Sequence, residues 1–99
     1  MTHELKIQKQ WADAKLAGEK PFEIRRNDRG FQKGDTVRYN VVDPKTCAEW
    51  RDEADEPHPL ERCDFVITYV MQGFDGIEDG FCVFADQPVP KEKRDGRTA

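Results

Sequence analysis

The chain has 99 residues and a net charge of −4, and 36% of its residues are Asp, Glu, Lys or Arg. That length suits one small domain with a thin core, and the acidic balance excludes nucleic-acid binding by broad electrostatic wrapping. Six Phe, two Tyr, two Trp and several runs of Val and Ile exclude a disordered chain.

The charge is unevenly placed. Lys15–Arg38 holds seven bases and four acids, a net of +3, whereas Pro44–Asp64 holds three bases and seven acids, a net of −4. Met1–Lys6 has no apolar leader pattern, and no apolar run approaches the ~20 residues of a membrane span. Three cysteines cannot all pair internally. These features set the expectation of a cytoplasmic chain in a reducing compartment, with no membrane partner.

In chain order, Leu5 and Ile7 alternate with Glu4 and Lys6 as a half-buried strand. Residues 8–17 read as a short helix with Trp11, Ala12 and Leu16 as its apolar stripe. Gly18 suits the left-handed position after its last turn, and Pro21 prevents continuation. Residues 22–25 are a second strand, with Phe22 and Ile24 assigned to the core face and Glu23 and Arg25 to the other. A polar loop follows from Asn27 to Lys33, and Gly34-Asp35 provides turn chemistry before a strand over 36–42. Residues 44–63 form an irregular acidic excursion with one helical turn at 47–52. Residues 64–71 are the strongest strand, with Phe65, Ile67, Tyr69 and Met71 on one face. A glycine- and acid-rich turn leads to the last strand at 81–85. The domain is expected over 1–87, and 88–99 reads as a disordered charged tail. The pattern predicts a mostly β, α+β chain with one or two short helices, curled into a small barrel.

Gly18-x-Lys20-x-x-Glu23-x-Arg25 resembles the G-x-K-x-x-E-x-R signature of ASCH domains in the PUA-like superfamily. Together with His3–Ile7, the run Phe22–Arg29 and Phe31-Gln32-x-Gly34-Asp35, it is similar to a subgroup of small bacterial and phage proteins of unknown function. The resemblance implies a PUA-like β-barrel with a cleft beside its early helix, lined by the signature residues, that binds RNA or nucleotides. One enzymatic group shares the lysine at Lys20 and hydrolyses the acetyl amide of acetylcytidine. It carries a catalytic threonine where this chain has Glu23. Another group is ribonucleolytic.

The candidate ligand-binding residues are Lys20, Glu23, Arg25, Arg26, Arg29 and Lys6. Arginine offers a planar fork and lysine a point charge to phosphate, and Glu23 suits an exocyclic amine or ribose hydroxyl. Lys20 and Glu23 are also the candidate catalytic pair if the chain is an enzyme acting on a nucleoside or RNA. The bland alternative for these residues is a structural ion pair. His3 borders the cleft or is simply exposed. Trp11 and Tyr69 are assigned to the core in preference to base stacking. Cys47, His58 and Cys63 are spaced by ten and four residues without a C-x-x-C knuckle, so no metal is expected. No P-loop or dinucleotide fingerprint occurs, so no cofactor is expected. A third reading makes the acidic 44–64 segment, with Trp50, a protein-docking surface that the barrel does not depend on.

Overall fold

The computed structural model describes residues 1–89. It contains β1 (Thr2–Gln8), α1 (Lys9–Leu16), β2 (Phe22–Arg26), β3 (Thr36–Val42), β4 (Asp64–Met71) and β5 (Phe81–Pro88). The strands form one sheet in the order β1-β3-β4-β5-β2, curled into a half-barrel. β1 runs parallel to β3, because α1 and β2 intervene in the chain; the other pairings are antiparallel. The predicted mostly β, barrel-like architecture with one or two short helices is what forms, with one helix among the described residues.

Alternation places Leu5 and Ile7 of β1, Val37, Tyr39 and Val41 of β3, Phe65 and Ile67 of β4, and Cys82 and Phe84 of β5 in one core. Ala12 of α1, Phe31 and Leu60 close it. Gly18, at φ +78°, ends α1 in the left-handed region.

Several expectations are corrected. α1 buries Ala12 and Lys15, whereas Trp11 and Leu16 are about half exposed. In β2 the faces are inverted: Phe22 and Ile24 point outward, and Glu23 is only 3% exposed. In β4 the pairing to β5 shifts between Ile67 and Tyr69, from Ile67↔Asp86 to Tyr69↔Ala85. This bulge reverses the strand's parity. Phe65 and Ile67 stay inside, Val70 packs on the core, and Tyr69 and Met71 turn outward.

The acidic excursion has no helical turn at 47–52. It is stitched to β3 where β4 no longer pairs with it: Trp50 N donates to the Val41 carbonyl, Arg62 N to the Tyr39 carbonyl, and Tyr39 N to the Cys63 carbonyl. The Glu61 carboxylate accepts from Val41 N. Leu60 and His58 are buried, and Trp50 packs on the core. The segment is part of the barrel wall. β5 also runs past its expected end, and Val89 N donates to the Asp64 carbonyl. Most of the expected tail lies outside the described residues.

Candidate functional site

The edges of the curled sheet, β1 and β2, face each other across a gap. They are joined by side chains instead of a strand ladder. Arg25 Nη2 donates to the Lys6 carbonyl at 2.9 Å, and Arg29 Nη1 to the Glu4 carbonyl at 2.9 Å. Beside this seam lies a cleft of about 560 Å³, lined by residues 6–8, Trp11, Lys20 and residues 22–25.

Glu23 sits at the base of the cleft because its partner across the β2–β5 pairing is Phe84, which faces the core. Its Oε2 meets Lys20 Nζ at 2.8 Å and Lys15 Nζ at 3.2 Å. Its Oε1 accepts from Arg25 Nε and Nη2 at 3.1 and 3.0 Å. Burial works to raise the pKa of this carboxyl, but the Lys20 hydrogen bond and the charges of Lys15, Arg25 and Lys20 outweigh it and hold it below the usual carboxylate range. Glu23 is therefore an ionised acceptor at neutral pH.

Behind it is a buried network that sequence reasoning missed. The Lys15 ammonium, with its side chain 1% exposed, contacts Asp86 Oδ1 at 2.8 Å, the Lys20 carbonyl at 3.1 Å and Glu23. Its three protons thus meet three oxygens, over the rings of Tyr39 and Phe65. The Tyr39 hydroxyl donates to Asp86 Oδ2. Burial, with the charges of Glu23 and Asp86, pushes the Tyr39 hydroxyl far above its ordinary pKa, so it stays protonated. No buried side-chain nitrogen or oxygen among the described residues lacks a partner. The signal for Asp86 was present, since it shares the parity of Cys82 and Phe84. Lys15 follows Ala12 by three positions, on the helix face that turns inward.

The structure brings Lys20, Glu23, Arg25 and Lys6 to one cleft. Arg29 lies on its seam. Arg26 points to the outer face, with its guanidinium 4.8 Å from the Phe81 ring. His3 is buried: Nε2 contacts Asp35 Oδ2 at 2.9 Å, and the ring packs edge-on against Phe31. The hydrogen bond from His3 helps lower the Asp35 pKa. Trp11, 49% exposed, lines the cleft. His58 is engaged by Asp13 at 2.7 Å.

Fold and site together define a small half-barrel whose open seam carries a cation-lined cleft around a buried, ionised glutamate. Residues 2–85 match the family described as "Domain of unknown function (DUF3850)", and the chain belongs to that family. No protein of curated function matches the chain.

Proposed function

We propose that this protein is an RNA- or nucleotide-binding module, an ASCH-type member of the PUA-like superfamily, that takes its ligand in the cleft beside Gly18–Arg25. The observation that carries the reading is the convergence of Lys20 and Arg25 on Glu23 next to open space. Lys6, Lys20 and Arg25 against Glu23 leave the cleft lining at +2. The half-exposed Trp11 and the apolar Ile7 and Phe22 offer surface to a base, and the cations suit a phosphate. A cytoplasmic site of action goes with this reading. No helix among the described residues is long and apolar enough to cross a membrane.

The same geometry weighs against an enzyme that uses Lys20 and Glu23 to move a proton. Glu23 already accepts from three cations, which lowers both its basicity and its access. It also weighs against the acidic segment as a separable docking device, since that segment helps build the wall.

Fluorescence anisotropy with labelled single-stranded RNA at low salt tests the proposal. The Lys20→Ala/Arg25→Ala double variant is expected to bind at least ~10-fold more weakly, the effect of losing two phosphate-facing cations. Lys6→Ala, on an exposed side chain, gives a milder loss with the fold intact. Binding unchanged in both variants rejects the cleft.

A further inference from the structure

The exterior of the sheet is divided. The β1–β3 half carries Glu4, Lys6, Arg38 and Asn40, whereas the β4–β5–β2 half is mainly apolar, with Asp64 (paired to Arg38), Gln87 and Arg26 at its margins. Pairing aligns that apolar half in rows. Phe22, Ala85 and Tyr69 lie side by side across three strands, and Ile24, Val83 and Met71 form the next row. Phe22, Ile24 and Tyr69 are 40%, 63% and 57% exposed, high values for large apolar side chains on a sheet.

Two observations indicate what such a face meets. First, its aromatics carry cations: Lys20 Nζ lies 5.2 Å from the Phe22 ring centroid, and the Arg26 guanidinium 4.8 Å from that of Phe81. Rings interleaved with cations are the chemistry of single-stranded nucleic-acid platforms, where bases stack and phosphates find positive charge. Second, the face is continuous with the cleft, because Phe22 and Ile24 belong to both.

We infer that single-stranded RNA leaving the cleft crosses the edge of β2 and lays its bases on the outer face of β2, β5 and β4. Phe22 and Tyr69 flank a shallow slot over Ala85. Their backbones stand two strand spacings apart, roughly 9.5 Å, and the alanine methyl fills little of the space between. The acids of the following turn, Asp75, Glu78 and Asp79, lie toward the Phe81 end. They favour a strand path through the Phe22–Tyr69 row. This rests on the cleft reading and extends it from one nucleotide to several.

The test compares a labelled dinucleotide with a labelled ten-nucleotide single-stranded RNA. The wild-type protein is expected to bind the longer RNA more tightly. Tyr69→Ala, at an exposed position, is expected to weaken the ten-mer about 5-fold or more, the loss of one stacked base, and to leave the dinucleotide unchanged. Tyr69→Phe restores the ring and the affinity. Equal ten-mer binding by wild type and Tyr69→Ala overturns the platform and leaves the cleft standing. If the wild type binds neither RNA, both readings fall. Sedimentation of the same proteins without RNA adds one more outcome: a dimer lost in Tyr69→Ala, with RNA binding intact, makes this face a contact between copies and overturns the platform.

Discussion

Glu23 keeps its charge in a place where burial alone would remove it. It does so because three cations reach it from three directions: Lys20 from the turn, Arg25 from its own strand and Lys15 from α1. Lys15 matters most to the interior. Without it, Asp86 and Glu23 stand as buried carboxylates with less compensation. Lys15→Met is expected to lower stability by about 3–5 kcal/mol, read as a shift in the urea midpoint. A loss below ~1 kcal/mol would show that the network relaxes around the change. The acid response has a definite sign. Glu23 has a folded-state pKa below its reference of 4.5, so its stabilisation is complete above that pH and is lost as pH falls through the lower, folded value. Asp13 and Asp35 act in the same direction from 3.8, Asp13 chiefly through the His58 hydrogen bond. The thermal midpoint is expected to hold from pH 7 to about 5 and then fall. The Glu23→Gln variant should show a shallower acid decline.

The elements that shape the site are the irregular ones. The bulge in β4 decides which residues face solvent, and it turns an apparent core tyrosine into an exposed ring. The 44–63 segment does a strand's work for β3. It supplies backbone partners at Tyr39 and Val41 and seals the core with Leu60. Deleting 46–61 is therefore expected to abolish the cooperative unfolding transition seen by circular dichroism. A truncated chain that still melts cooperatively would make the segment an appendage. Within it, Leu60→Ala is the milder probe, with an expected cost of about 2–5 kcal/mol.

For the whole molecule, the net charge of −4 and the local charge of the cleft point in opposite directions. Among the described residues, a few cations face any bound strand: Lys6, Lys20 and Arg25 in the cleft, and Arg26 beyond it. If RNA binds as proposed, log affinity should fall with log salt at a slope of roughly −2 to −3, about 0.7 per phosphate contact. A slope far steeper would place the contacts elsewhere, and a flat one would remove phosphate from the recognition.

The barrel-like class, the five strands, the helix and its glycine stop were legible in the residues themselves, because alternation and turn chemistry are local properties. So was the grouping of Lys20, Glu23 and Arg25, which six positions of one chain segment hold together. Which side of β2 faces inward was not legible. Phe22-Glu23-Ile24-Arg25 has the same period read either way, and ordinary hydrophobic preference chose the wrong side. The decision was made at long range: Lys15 on α1 and Asp86 on β5 surround Glu23 with charge that makes its burial tolerable. That leaves Phe22 and Ile24 on the outer surface. A single unpaired residue in β4 likewise lies beyond any local pattern, since only the register against β5 reveals it. Strand content is determined by neighbours in sequence, whereas the facing of a strand is determined by partners that the fold alone brings near.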